Sequence, residues 1–200
     1  TAGEFLTQRE LAQMSLIAVT PAPGTLKLEY HNSTIDVSEP GPDSPVRQVR
    51  VWNDRVTSLD AGDAVASWLS DHLQRACRLV FMPRDSIRLV DGAYASEGET
   101  VGFADGFPLL LISQASLEDL NSRLPKPVPM NRFRPNLVIS ECEAFAEDSW
   151  RRIRIGEMEF DVAKACSRCG IPSIIQDTAQ RDPDINRTLA KFMGKWQIMG

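Results

Sequence analysis

Proline and glycine cut this 200-residue chain into apolar stretches of strand or short-helix length. Pro21-Ala22-Pro23-Gly24, three prolines and a glycine between Ser38 and Pro45, and the run Pro125, Pro127, Pro129 are the main breaks. Proline fixes φ and donates no backbone hydrogen bond, so such clusters mark turns and exposed loops. Between the breaks the spacing predicts short strands: Leu26, Leu28 and Tyr30 alternate, followed by Ile35 and Val37, then Val46–Val51 with Val49 and Val51 on one face. Arg78–Met82 and Ser173–Gln176 read as further strands, Leu137–Ser140 as a short buried one, and 108–112 as a buried strand or helix start. Arg152–Val162 alternates on both sides of Gly156-Glu157, a hairpin signal.

Helical spacing is confined to three places. Asp63 reads as the N-cap of a helix over 64–75 carrying Val65, Trp68, Leu69 and Leu73. Ser113 reads as the N-cap of a second, with Leu117, Leu120 and Leu124 as its buried stripe. Ile185, Leu189 and Phe192 mark a third over 184–193. Residues 83–102 are polar and glycine-bearing, a long loop between two subdomains. The balance predicts an α+β fold with a barrel-like part and no βαβ series.

A hydrophobic fraction of 42% supports an ordinary core and argues against disorder. The 22 Lys+Arg against 27 Asp+Glu leave a net charge of −5, the wrong sign for a general nucleic-acid binder. No apolar run approaches the roughly 18 residues of a membrane span. The chain starts at Thr1 rather than Met and stops just after a candidate helix, which predicts a piece of a longer protein. The four cysteines, Cys77, Cys142, Cys166 and Cys169, include one close pair, and a structural zinc would need a second pair at comparable spacing. Reduced thiols in a reducing compartment, cytoplasmic or mitochondrial, are the expectation.

Three segments can carry chemistry. In Asn131-Arg132-Phe133-Arg134-Pro135-Asn136, Arg134 offers a planar fork for phosphate and Asn136 can donate and accept beside it. The same stretch also reads as a solvated loop with a surface ion pair. Glu147-Asp148-Ser149-Trp150 reads as an acidic site or as a turn entering the hairpin. In Cys166-Ser167-Arg168-Cys169 an arginine beside a thiol favours the thiolate, a ligand suited to a soft or high-valent metal, and Ser167 and Arg168 supply anion-binding groups. Two buried cysteines on a strand is the plain alternative.

Together these segments resemble the MOSC domain, found at the C-terminus of molybdenum cofactor sulfurases. The match is closer to the family of the mitochondrial amidoxime-reducing component and its bacterial relatives. The resemblance rests on Phe133-Arg-Pro-Asn-Leu-Val-Ile-Ser140, Glu147-Asp-Ser-Trp150, Ile155-Gly156 and Cys166-Ser-Arg-Cys169. Upstream, Phe103-Ala-Asp-Gly-Phe-Pro108 and Ser116–Leu124 fit the same pattern. Val51-Trp52, Ala66-Ser-Trp-Leu-Ser70 and Thr7-Gln-Arg9 resemble the N-terminal subdomain that accompanies MOSC. This implies a partial mixed α/β subdomain over 1–82 and a β-barrel-like MOSC domain over 83–200. The family's first strands would precede Thr1, and the end of its barrel would follow Gly200.

By this resemblance the chain would hold molybdenum cofactor, molybdenum in a pterin dithiolene. Cys169 would be the metal's thiolate ligand and the catalytic residue. Ser167 and Arg168 would hold the pterin phosphate, and Arg134 and Asn136 would bind the same cofactor. Asp105, Gly106 and Phe107 would form a cofactor-contacting turn through backbone groups. Cys166 would not be the ligand, and Gly170 departs from the bulkier residue often found after the motif. The implied activity is reduction of a small N-hydroxylated substrate, such as an amidoxime or hydroxylamine. Electrons would come from a donor protein of cytochrome b5 or ferredoxin type. The alternative is the cofactor-binding MOSC domain of a molybdenum cofactor sulfurase, a protein with a pyridoxal-phosphate-binding domain elsewhere and no reductase activity in this part.

Overall fold

The structure, a computed structural model, describes residues 3–192 and 198–199. The chain divides into two compact units, Thr1–Arg88 with Asp177–Ala179, and Leu89–Gln176 with Gln180–Gly200. The architecture is α+β, as the patterning predicts. The described strands form small, mostly antiparallel sheets and no closed barrel.

In the first unit, β1 (Ala18–Ala22), β2 (Thr25–Tyr30) and β3 (Ser33–Ser38) form an antiparallel meander. A second sheet joins β4 (Val46–Val51), β5 (Asp54–Asp60) and the short β6 (Val80–Phe81). Helix α1 (Asp63–Leu73) buries Val65, Ala66, Leu69 and Leu73, and Leu28 and Val37 pack in the same core. Trp68 lies at the edge of that core, where its Nε1–H donates to Ser33 Oγ at 2.8 Å. The N-cap expectation is corrected. Asp63 is the first helical residue, and Gly62 is the cap, at φ 102° and with no side-chain cap bond. Asp60 does the work from two residues earlier, its carboxylate accepting from Gly62 N–H at 2.8 Å. Asp60 is buried, and Arg47 Nε (2.8 Å), Arg78 Nε (2.6 Å) and Arg78 Nη2 (2.9 Å) all donate to it. These donors hold its carboxyl well below the usual carboxylate range, Arg78 contributing most.

In the second unit, β7 (Leu111–Ser113) runs into α2 (Gln114–Asn121) and returns to β8 (Leu137–Ile139), parallel to β7. This is one parallel crossover rather than a βαβ series. Ser113 caps α2 as expected, its side chain accepting from Ser116 N–H. Leu120 is fully buried with Ile112, Val128 and Phe133, while Leu117 and Leu124 flank that core. Ile185 and Leu189 of α3 (Pro183–Phe192) close it. The hairpin β9 (Arg152–Ile155) and β10 (Met158–Asp161) turns at Gly156, φ +61°. A short strand, β11 (Ala165–Cys166), pairs with β12 (Ile198–Met199).

Two expectations in this unit are corrected, while the hairpin stands as its alternation predicts. Leu137–Ser140 is only half buried, with Val138 exposed, because β8 pairs on one side with β7 alone. The hairpin's Ile155 and Met158 are exposed. Ser173–Gln176 is not a strand. Ile171–Ser173 is a 3-10 turn, and Ile174 makes only an isolated bridge to Arg181, because Pro172 at the start of the turn favours helical backbone.

Candidate functional site

The site candidates lie on loops of the second unit, braced by its core. Phe133 is the anchor of the first loop: it is buried against Ile112 and Leu120, so the residues on either side are set by its packing. A 3-10 turn over Met130–Arg132 leads into it. Arg134 follows at φ 55°, a left-handed conformation uncommon outside glycine, with Pro135 next. That twist directs the chain back to the sheet, where Asn136 N–H donates to Leu110 O at 2.8 Å and Asn136 Oδ1 accepts from Leu110 N–H at 2.9 Å. Asn136 thus fixes the entry to β7, and its carboxamide oxygen is taken up there. Arg134 is exposed.

The cysteine loop begins at the end of β11. Cys166 is half-buried, and burial pushes its thiol up; Asp105 and Cys169 add to this, while Arg168 and Lys164 oppose it. Cys169 is half-buried too, and its Sγ accepts from Ile171 N–H at 3.5 Å. Ser167 is exposed. Arg168 is the unusual residue. Its guanidinium lies over the Phe133 ring, 5.4 Å from the centroid, and its Nε and Nη2 are buried without a hydrogen-bond partner. Burial pushes its pKa down, opposed by the thiols of Cys166 and Cys169. A buried guanidinium with unspent donors is costly unless an anion completes it.

Three of the sequence-derived segments therefore come together. Phe133, next to Arg134, stacks under Arg168, and Asp105 lies near enough to Cys166 to raise its thiol. Asp105 is exposed, and Gly106 and Phe107 are half-buried in the following bend. Phe107 meets Tyr94 edge to face at 6.1 Å, with Lys164 Nζ 5.3 Å from the Phe107 ring and 4.6 Å from that of Tyr94. Asn136, by contrast, reaches Leu110. An open cavity of ≈ 790 Å³ also lies in this unit, lined by Tyr94, Phe107, Leu111, Leu137 and Phe160 among others. It shares only Phe107 with the candidate residues, so volume and chemistry do not coincide.

Two residues escaped the sequence reading. Glu147 lies in the turn that enters the hairpin, one of its two sequence readings, and is not an open acidic site; what escaped is its buried carboxylate. Its Oε1 accepts from Ser113 N–H (3.0 Å) and Ser116 Oγ–H (2.7 Å), tying its 3-10 turn (Ala146–Ser149) to the start of α2. Arg132 is buried and bonded to Pro172 O. Nothing in one sequence separates it from the exposed Arg134 two positions on. Among the described residues, no three His, Cys, Asp or Glu side chains gather as a metal shell, and no helix is long and apolar enough to cross a membrane.

The order of segments and the braced cysteine loop define a class that comparison with known proteins identifies. Residues 98–200 match the MOSC domain and residues 1–76 the MOSC N-terminal beta barrel domain; the chain belongs to the MOSC domain family. It is 36% identical over 188 residues to mitochondrial amidoxime-reducing component 1 of Mus musculus, covering 90% of this chain and 55% of that protein. The Homo sapiens counterpart is 34% identical, with 88% of this chain and 54% of that protein covered. A molybdenum cofactor sulfurase of Oryza sativa subsp. japonica is 31% identical over 96% of this chain and 26% of its own length. The chain spans about half the length of the amidoxime-reducing relatives it matches.

Proposed function

We propose that this chain is the cofactor-binding part of a molybdenum-dependent reductase of small N-hydroxylated compounds. The observation that carries the reading is Arg168. Two of its nitrogens are buried without a partner, one residue from the Cys169 thiol, and a phosphate-bearing ligand with a thiophilic metal satisfies both. The residues present fit molybdenum cofactor on that ground. When bound, the cofactor supplies two-electron oxygen-atom chemistry, converting an N–OH group to N–H with release of water. Cys169 gives it a soft anionic protein ligand. Arg168 presents Nε–H and Nη2–H to the phosphate, and the Phe133 ring behind fixes the plane of that fork. Ser167 adds an exposed hydroxyl and Arg134, next to Phe133, an exposed second cation. Asn136 holds the first loop on β7, and the Asp105-Gly106-Phe107 bend offers backbone groups. Two electrons enter one at a time from a donor protein of cytochrome b5 or ferredoxin type and two protons from solvent, in a reducing compartment, cytoplasmic or mitochondrial.

The rice relative favours a second reading, a cofactor-holding MOSC domain of a sulfurase without reductase activity. Cys169→Ser in the complete protein separates the two. Serine keeps the size but exchanges a soft thiolate for a hydroxyl. Under the reductase reading, benzamidoxime reduction collapses while pterin content falls much less, and Cys166→Ser is milder. Undiminished reduction by Cys169→Ser removes the thiolate-ligand assignment. Cofactor binding with no reduction by the wild type points to the sulfurase reading.

A further inference from the structure

Arg132 is among the few charged residues that are buried in this molecule, and the reading of the cofactor site leaves it unused. Its Nε–H donates to Pro172 O at 2.8 Å, and its Nη2 lies 3.8 Å from Asp182 Oδ2. Both acceptors belong to the segment that follows the cysteine loop. Pro172 sits in the 3-10 turn Ile171–Ser173, and the first amide of that turn, Ile171 N–H, donates to Cys169 Sγ at 3.5 Å. Asp182 is held in turn: its backbone N–H donates to Ser173 O at 2.7 Å, and its Oδ1 accepts from Asp184 N–H at 3.0 Å in the first turn of α3. The next residue after Arg132 is Phe133, whose ring lies under Arg168. One dipeptide, Arg132-Phe133, therefore grips the cysteine loop at Arg168 and again at Pro172, on either side of Cys169.

A buried guanidinium held by one direct hydrogen bond and one distant carboxylate is a poor source of stability, and an apolar residue of similar size fills such a place at less cost. Its value lies in geometry, since Nε–H holds the Pro172 carbonyl while Nη2, with no hydrogen bond of its own, faces the Asp182 carboxylate as an ion pair. We infer that Arg132 is a positioning residue that sets the Cys169 thiol through the Pro172–Ile171 turn. The consequence for chemistry rests on the proposed role of Cys169; the mechanical claim about the thiol does not.

The test uses the intact, metal-free chain. Each thiol is alkylated with N-ethylmaleimide and its rate read by peptide mass spectrometry, with Cys77 and Cys142 as internal references. Arg132→Gln is expected to raise the Cys169 rate about tenfold and speed amide exchange at Ile171, while Cys77 changes less than about twofold. Arg132→Lys keeps a donor without the fork and gives about threefold. Leu189→Ala, a core truncation in the same unit, loses at least as much melting temperature but leaves the Cys169 rate within about twofold. If Arg132→Gln fails to fold, Asp182→Asn decides. It keeps an oxygen for Asp184 N–H, removes the charge facing Arg132, and is expected to raise the Cys169 rate about threefold. A wild-type Cys169 rate in the folded Arg132 variants, or in Asp182→Asn where they do not fold, overturns the proposal, as does an equal rise in Leu189→Ala. Should the thiol respond as stated while wild-type protein takes up no molybdenum cofactor, the cofactor reading fails alone and the positioning role stands.

Discussion

Two charged groups, one in each unit, are buried in opposite ways. In the first, Asp60 is buried and meets donors from Arg47, Arg78 and the Gly62 amide, all supplied by the chain itself. In the second, Arg168 buries two guanidinium nitrogens and the chain supplies no acceptor for them. A buried ion whose partners are internal is part of the architecture, here the joint between β5 and α1. A buried ion whose donors remain unspent has the chemistry of a socket, and what fits it is an anion from outside.

Removing the internal partner gives the largest effect. Asp60→Ala takes the acceptor from Arg47 and from Arg78 Nε, leaving Arg78 only its bond to Asp63, and frees the Gly62 amide, so it is expected to cost the first unit about 3 kcal/mol in urea unfolding. The same group sets an acid limb. Its folded pKa is depressed, so its contribution is complete above the ordinary carboxylate value of about 3.9 and drains away as pH falls from there toward the folded value. Asp60→Ala flattens that limb, and an unchanged pH profile contradicts the assignment.

The socket behaves the other way. Arg168→Met replaces a desolvated charge with an apolar side chain of similar length, so the metal-free chain gains about 1 kcal/mol. Loss of stability comparable to Asp60→Ala makes Arg168 architecture and ends the contrast. Wild-type protein gains stability from inorganic pyrophosphate, about 1.4 kcal/mol at ten times the dissociation constant, read as a rise in melting temperature that Arg168→Met abolishes. The smallest effect belongs to Arg152, which pairs with Asp161 (2.7 Å) and Glu159 (3.4 Å) on the exposed hairpin. Arg152→Ala leaves the unfolding midpoint unchanged within error, because solvent already serves both charges.

The contrast also explains what the sequence could and could not disclose. Elements whose buried faces are apolar were legible: β2, α1, α2 and α3 follow directly from the spacing of leucine, isoleucine and valine. Strand β5 was not, since its inward residues are Val56, Ser58 and Asp60, and two of the three are polar. Ser58 Oγ–H donates to Arg47 O and Asp60 accepts from two arginines, so these inward positions leave no hydrophobic period. In the site, residue types announced a thiolate and an anion fork. The sequence could not show that Arg132 is buried, and Arg168 half-buried with two nitrogens out of solvent, while Arg134 is exposed, because burial of an arginine depends on partners brought from distant segments. Asn136 shows the same limit from the other side, a polar residue with a ligand-like look whose carboxamide oxygen serves Leu110.

The role proposed for Arg168 is to receive the anionic end of a molybdenum-bearing pterin. Its most direct test is the pterin and molybdenum content of the complete protein, expressed with cofactor supply, as wild type and as Arg168→Met. Wild type should carry both in near-stoichiometric amount, and Arg168→Met should lose most of both while its metal-free form is at least as stable. Equal pterin and molybdenum in the two proteins would contradict the claim.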